Sequence, residues 1–324
     1  MIDNIENIID YINRSNDFIV TSHISPDGDN IGSTLSMYNS LKKLKKNVYY
    51  VLDDTPPKNL EFLLKDVNIL KSNEFNIDKF NIISLDCGDR KRICLSDEIK
   101  DKAQKIICID HHASNDKYGD LNYIDTNASS TCELVYNVLV AYNKKYNIDL
   151  IDENIATFLY TGLVTDTGNF MYSNTHPTSF DMAKNLLLKG AKKENIIQNI
   201  FQSNSANYYK LLGEALNTLD IINNKVACIS ITKEMLKRNI ISFNDVDGIT
   251  SYTRDIEGIE VGILLKEKKD NEIKVSLRSK SYVDVSKIAQ SFGGGGHIKA
   301  AGCTIYDSIE NAKKKIIESV LKTI

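Results

Sequence analysis

Three short, β-rich runs in this chain each end in a side chain that can bind a metal. "DFIVTSH" ends at His23, "NIISLD" at Asp86, and "KIICID" at Asp110, with His111 and His112 directly after it. Runs this short and apolar fit strands buried on both faces. Around them the spacing turns helical. Ile5, Ile8, Ile9 and Ile12 form one stripe near the N-terminus, and Ile31, Leu35, Tyr38 and Leu41 form another over residues 30–46. "NVYYVL" predicts a further strand. Strands alternating with helices predict an α/β fold, a parallel sheet with helices on both faces. Ligands in such sheets bind outside the carboxyl ends of the strands. The fold would therefore gather acidic and imidazole groups from three strands at one edge.

Further helices are expected over residues 129–146, 152–164 and 178–189, and Gly190 suits a helix stop. Residues 193–220 read as helical throughout and as a link between two bodies. The pattern then changes. "KVACISI", "IEVGILLKEK" and "EIKVSLRS" are predicted strands, the last two forming a hairpin across "KDN". A helix near residues 285–291 precedes "FGGGGHIKAAG". The expected organisation is a parallel-sheet domain over 1–190, a helical linker over 191–222 and a smaller C-terminal α/β domain over 223–324.

Composition narrows the partners. A net charge of -3 argues against the broad Lys/Arg surface that long nucleic acid demands, while a few local cations could still hold a small anion. No apolar run approaches the roughly 20 residues needed to span a bilayer. The N-terminus lacks the basic and then apolar pattern of a secretory signal, so no membrane partner is expected. Cys87, Cys94, Cys108, Cys132, Cys228 and Cys303 are scattered, with no C-x-x-C pair. That favours reduced, buried thiols and a cytoplasmic address.

Taken alone, "SPDGDN" is a plausible turn, and an aspartate after a strand is often a helix cap. The other segments change that balance. His23, Asp27, Asp29, Asp86, His111 and Asp166 (in "GLVTDTGNF", just after a predicted helix) are candidate metal ligands. Four carboxylates at one sheet edge repel one another unless cations are present. The set is too large for one tetrahedral site and suits two ions sharing a bridging carboxylate. Mixed carboxylate and imidazole ligands without thiolate favour Mn²⁺ or a similar ion over Ca²⁺. Two such ions about 3.5–4 Å apart are the usual apparatus of phosphoryl hydrolysis, binding a hydroxide in line with phosphorus and neutralising the departing oxygen.

"HISPDGDNIGS", "LDCGD", "IDHH", "STCELVY", "GLVTDTGNF" and "FGGGGHIKAAG" together resemble the successive motifs of the DHH phosphoesterase family with its DHH-associated C-terminal domain. Order and spacing agree over nearly the whole chain. Within that family the chain is most similar to the short bacterial nanoRNase and pAp-phosphatase type. The resemblance implies one ion on His23, Asp27 and Asp86, and a second on Asp29, Asp86, His111 and Asp166. It implies that Asp110 orients a neighbouring group and that His112 faces the substrate phosphate.

The glycine run can be read as a flexible turn. The resemblance instead implies substrate binding by Gly294, Gly295, Gly296 and His297, with backbone N–H groups of glycines 293–296 approaching an anion. It also implies a phosphate contact from Arg278, which otherwise reads as a solvated surface residue. Arg254 and Lys299 are weaker candidates of the same kind. Ser129, Ser130 and Thr131 read as a helix cap, and His176 as a surface residue in a turn.

The expected activity is hydrolysis of short oligoribonucleotides to mononucleotides, and of 3'-phosphoadenosine 5'-phosphate (pAp) to AMP. Substrate is expected in a cleft between the domains. The alternative keeps the chemistry and takes linear pApA or cyclic di-AMP. A RecJ-type exonuclease is disfavoured by length and charge, a pyrophosphatase by the glycine run, and a non-catalytic nucleotide-binding module by the intact ligand set. A homodimer is left open.

Overall fold

The computed structural model describes residues 5–75 and 77–324. The chain divides into two compact units, Met1–Ser203 and Asn204–Ile324.

The first unit begins with helix α1 (Ile5–Arg14), which buries the Ile8, Ile9 and Ile12 stripe, then strand β1 (Asp17–Thr21). There follow α2 (Gly28–Lys43), β2 (Asn47–Val51), β3 (Ile69–Leu70), β4 (Asn81–Leu85), α3 (Asp97–Lys102), β5 (Ile106–Asp110) and β6 (Leu121–Ile124). The unit ends with α4 (Thr131–Tyr146), α5 (Glu153–Asp166), α6 (Pro177–Leu188) and α7 (Lys193–Ile196). The strands form one parallel sheet in the order β3-β2-β1-β4-β5-β6. The order reverses between β1 and β4, and at such a switch point the crevice outside the strand ends is open to ligands.

The two faces of this sheet are covered unequally. Phe18 and Val20 of β1, with Ile83 and Leu85 of β4, pack under the long helices α1, α2, α4 and α5. Ile19 and Ile82 face the other way, into a smaller cluster with Phe80, Ile93, Leu95 and Ile99. That second face is closed by the six-residue α3 and irregular segments rather than by a full helical layer.

Helices α2 and α5 approach closely because glycines meet there. A Cβ on Gly32 would lie 2.5 Å from the Phe158 carbonyl oxygen, and one on Gly162 would lie 2.2 Å from Cys132 Sγ and 2.5 Å from Asp29 Oδ1. The close packing holds the first turn of α2 against α4 and α5.

Residues 193–220 are not one helix. A π-helical turn, Ile197–Phe201, follows α7, and the helix then breaks. Ser205 caps a new helix, α8 (Ala206–Leu216), its hydroxyl accepting from the Tyr208 N–H. Helix α8 belongs to the second unit, with β7 (Asp220–Ile222), β8 (Val226–Ile231), α9 (Lys233–Asn239), α10 (Thr250–Arg254), β9 (Val261–Lys269), β10 (Glu272–Ser279), α11 (Val285–Gln290), β11 (Gly295–His297), β12 (Ala300–Ile305) and α12 (Ile309–Leu321).

Its sheet is mixed, in the order β11-β12-β10-β9-β8-β7, with β8 and β9 parallel. Helices α11 and α12 pack one face. Helices α8 and α9, with Val246 and Ile249, pack the other face over β8 and β9. Among the described residues no helix is long and apolar enough to cross a membrane.

Candidate metal centre

The centre is built at the carboxyl ends of β1, β4 and β5, which lie side by side. His23 stands two residues beyond β1. Its segment is pinned by backbone bonds from Ile24 N to Arg92 O (2.9 Å) and from Cys94 N to Ser22 O (2.7 Å). Asp86 follows β4 directly and takes a left-handed backbone conformation, φ 52°, which an aspartate adopts at a steric cost. Asp110 closes β5, and His111 and His112 follow it. Asp27 caps α2, its Oδ1 accepting from the N–H groups of Asp29 (3.1 Å) and Asn30 (3.0 Å). Asp166 is the last residue of α5.

These residues meet around Asp86. Its Oδ2 lies 3.3 Å from His23 Nε2, and its Oδ1 lies 3.7 Å from His111 Nε2. His23 Nε2 is 3.9 Å from Asp27 Oδ2, and His111 Nε2 is 3.2 Å from Asp166 Oδ2. Among the described residues three groups of side chains have ligand atoms close enough to share an ion: His23, Asp27 and Asp86; Asp29, His111 and Asp166; and Asp86, His111 and His112. Asp29 and Asp86 are buried, while Asp27 is exposed.

The chemistry of the donors fits divalent cations. His23 Nδ1 is 2.7 Å from the Ile24 carbonyl oxygen, and His111 Nδ1 is 3.2 Å from that of Ala128. A carbonyl only accepts, so each Nδ1 carries the proton, and each Nε2 is left as the ligand nitrogen. Both Nε2 atoms then face carboxylate oxygens, acceptor against acceptor. Only a proton or a cation reconciles that arrangement.

The ionisation of the centre without cations shows the same demand. Burial, then the neighbouring Asp166 charge, pushes Asp29 up to about 7. Burial and the charges of Asp29, Asp27 and Asp166 raise Asp86 well above the carboxylate range. Burial also raises Asp166 against the pull of His111. At His111 burial opposes a charged ring, but the carboxylates of Asp166, Asp29 and Asp86 outweigh it and push the imidazole up to about 11. Metal binding replaces such protons.

The segment ahead of α4 does more than cap it. Ser130 is the cap, accepting from Glu133 N at 3.2 Å. Buried Glu133 holds the Ser129 N–H (2.9 Å) and hydroxyl (2.6 Å). The N–H groups of Thr131 (2.6 Å) and Cys132 (2.9 Å) grip the two oxygens of Asp29, and the Thr131 hydroxyl donates to Asp86 Oδ1 at 3.1 Å. The sequence reading missed Thr131 as a support for the centre.

It missed Asn115 as well. Asn115 Nδ2 donates to Asp110 Oδ2 at 2.6 Å, while His112 Nδ1 donates to Asp110 Oδ1 at 2.7 Å. Burial works against charge on Asp110, but the His112 and Asn115 bonds overcome it and hold its carboxyl below the usual range. The "IDHHASN" run carried that signal, a side-chain amide within one loop of the acid.

The other candidates lie in the second unit. Arg278 is on β10, half-buried, with one guanidinium N–H bonded to the Leu277 carbonyl oxygen (3.0 Å). Arg254 pairs with Asp255, and Lys299 Nζ bonds the Ser281 carbonyl oxygen. The glycine run is more ordered than a loop. Gly293 N donates to Gln290 O and Gly294 N to Ala289 O, both at 2.9 Å, so these N–H groups close α11 rather than face an anion. Gly295, Gly296 and His297 form edge strand β11 against β12. A Cβ on Gly294 would lie 2.2 Å from the Gly302 carbonyl oxygen, which explains a glycine there by packing alone. His176 is exposed at the N-cap of α6.

Comparison with known proteins gives matches to two family models and to relatives over most of the chain. The DHH family, N-terminal domain, matches residues 17–163, and the DHHA1 domain matches residues 212–324. A bifunctional oligoribonuclease and PAP phosphatase of Thermus thermophilus is 31% identical over 302 residues, covering 93% of this chain and 88% of its own length. The protein of the same description from Bacillus subtilis is 29% identical, covering 89% of each chain. The crystal structure of an exopolyphosphatase-related protein from Bacteroides fragilis superposes with a TM-score of 0.89 at 28% identity, covering 98% of this chain and 95% of that one.

Proposed function

We propose that this chain, which belongs to the DHH family and carries a DHHA1 domain, is a metal-dependent phosphoesterase that hydrolyses short oligoribonucleotides to mononucleotides and pAp to AMP. One observation carries the reading: buried Asp86 turns one oxygen toward His23 and the other toward His111, so that it could serve a cation on either side. In this reading His23, Asp27 and Asp86 would hold one ion, and Asp29, Asp86, His111 and Asp166 would hold the other. Two ions bound there would supply an activated water and neutralise charge at phosphorus. Mn²⁺ is the ion favoured, because imidazole ligands suit it better than Mg²⁺.

The chain's own residues supply orientation. The Asp110 carboxylate, steadied by Asn115, fixes the His112 ring through Nδ1. His112 then presents Nε2 to the substrate phosphate. Thr131 and the first turn of α4 hold Asp86 and Asp29 in place before substrate arrives. In the second unit Arg278 offers a planar guanidinium for a phosphate, and β11, from Gly295 to His297, offers backbone groups at a sheet edge. A cytoplasmic address is supported by six buried thiols.

The test is a substrate panel with Mn²⁺: labelled RNA from dimer to long polymer, pAp, pApA, cyclic di-AMP and pyrophosphate. Turnover is expected on di- to tetranucleotides and pAp, falling with length. Cleavage of long RNA or of pyrophosphate alone would overturn the reading. Exclusive action on cyclic di-AMP or pApA would move the protein to signal-nucleotide turnover.

A further inference from the structure

Helix α5 ends at Asp166, and the chain turns back at once through three consecutive left-handed residues: Gly168 (φ 55°), Asn169 (φ 56°) and Phe170 (φ 67°). That conformation is rare for a side chain as bulky as Phe170 and is strained. Local contacts hold it in place. Phe170 N donates to Thr167 Oγ1 at 3.1 Å, and the Phe170 ring stacks on that of Phe180, with centroids 5.1 Å apart and planes 20° apart. The strained turn brings Asn174 back beside the end of α5.

Asn174 Nδ2 donates twice there, to the Asp166 carbonyl oxygen at 3.1 Å and to the Ser129 carbonyl oxygen at 2.9 Å. The Asp166 carbonyl is one of the last four of α5, which find no partner inside the helix, and Asn174 supplies one. Ser129 lies in the segment ahead of α4 that orients two other ligands. Ala128 O takes the Nδ1 proton of His111, and the N–H groups of Thr131 and Cys132 grip Asp29. One amide therefore ties the residue that carries Asp166 to the segment that holds His111 and Asp29. Asn174 Oδ1 is buried and accepts from no described residue. Two carbonyls facing one end of an amide fix that end as the nitrogen, so these two bonds dictate how the side chain is set. The ligands on the other side are held by different contacts: His23 by the Ile24 carbonyl oxygen and by Asn30 Nδ2 (3.0 Å to the His23 carbonyl oxygen), and Asp27 by the first turn of α2.

We infer that Asn174 is a positioning residue for one of the two cation sites: it fixes Asp166 against residues 128–132 and so sets the spacing of Asp29, His111 and Asp166 before an ion arrives. The site of His23, Asp27 and Asp86 does not depend on it. The two halves of the centre are thus tuned by separate supports, and the strain in the turn is the cost of placing the amide. The inference rests on the proposed two-cation centre and deepens it.

The test is calorimetric titration with Mn²⁺ in the full chain and in two backgrounds, each with one proposed site disabled. In His23→Ala only the ion on Asp29, Asp86, His111 and Asp166 should remain, and in His111→Ala only the ion on His23, Asp27 and Asp86. Asn174→Ala is expected to lower Mn²⁺ affinity about ten- to a hundredfold in the first background, the scale of a lost partner behind a metal ligand. In the second it should change affinity by less than about twofold, as independent sites do. The otherwise unaltered chain should show the same pattern, one Mn²⁺ affinity falling and the other holding. Asn174→Leu fills the space without the N–H groups and should behave as Asn174→Ala does. Phe180→Ala removes the ring stack on Phe170 and keeps the amide, so it should lower the melting temperature and leave both affinities in place. Unchanged affinities in folded Asn174→Ala or Asn174→Leu, an equal fall at both sites, or as large a fall in Phe180→Ala would overturn the role of Asn174 alone. A wild type that binds a single Mn²⁺ would overturn the two-cation centre, and the inference with it.

Discussion

Replacing Thr131 with valine isolates one bond at the metal centre. The substitution keeps the shape of the side chain and the backbone N–H that grips Asp29, and it removes only the hydroxyl donated to Asp86 Oδ1 at 3.1 Å. The bond is buried and its acceptor is a carboxylate, a class worth about 1.5–3 kcal/mol. Cations share the charge of Asp86 when bound, so the lower half of that range applies. At 1.4 kcal/mol per tenfold, Mn²⁺ affinity should fall about ten- to fortyfold. The assay is calorimetric titration of the chelated protein with Mn²⁺, beside turnover of a dinucleotide at limiting and saturating metal. Affinity should drop, and turnover should recover largely at saturation, because Thr131 touches a ligand and not the substrate. Unchanged affinity in a folded variant would show that the left-handed Asp86 backbone positions the carboxylate without help, and the role given to Thr131 would be withdrawn.

Asp86→Ala should lower turnover at least about a hundredfold with an unchanged circular dichroism spectrum, since the residue lies beyond the end of β4; near wild-type activity would refute the ligand assignment. Gly162→Ala should weaken metal binding, because its Cβ would press on Cys132 Sγ and Asp29 Oδ1, and an unaltered metal titration would count against close α2–α5 packing as the device that sets Asp29. The pH dependence has a definite sign. Asp29 titrates near 7 in the folded, cation-free centre against an ordinary 3.8, so the native state holds the extra proton. Stability of the chelated protein should therefore fall as pH rises from about 4 through 7. The gap in melting temperature between Mn²⁺-loaded and chelated protein should widen over that range, and metal binding at pH 6 should release protons in calorimetry with two buffers. A constant gap with no proton release would refute the assigned ionisation.

The sequence made the metal edge legible because its ligands sit at strand ends. Short apolar runs located β1, β4 and β5, and a parallel sheet then had to bring His23, Asp86 and His111 together. What stayed hidden was set by tertiary contact or by elements too short to show a period. Strand β3 has two residues, and β11 is glycine and histidine with no alternation of apolar side chains. The break after Phe201 was masked by apolar residues continuing at helical spacing, although Ser205 supplied a cap signal. Thr131 is 45 positions from Asp86, so its hydroxyl read only as part of a helix start. The glycine run misled in part. It suggested either a flexible turn or N–H groups approaching an anion, whereas Gly293 and Gly294 terminate α11 and the next two glycines enter a strand.

The central claim is a two-cation centre bridged by Asp86 that cleaves short RNA. The most direct measurement titrates the chelated protein with Mn²⁺ while following bound metal by electron paramagnetic resonance and dinucleotide cleavage in the same samples. The expected result is two ions per chain, a spin-coupled signal at the second equivalent, activity that rises with that equivalent, and loss of both the coupling and the activity in Asp86→Ala. Saturation at one ion, or full cleavage before the second binds, would contradict it.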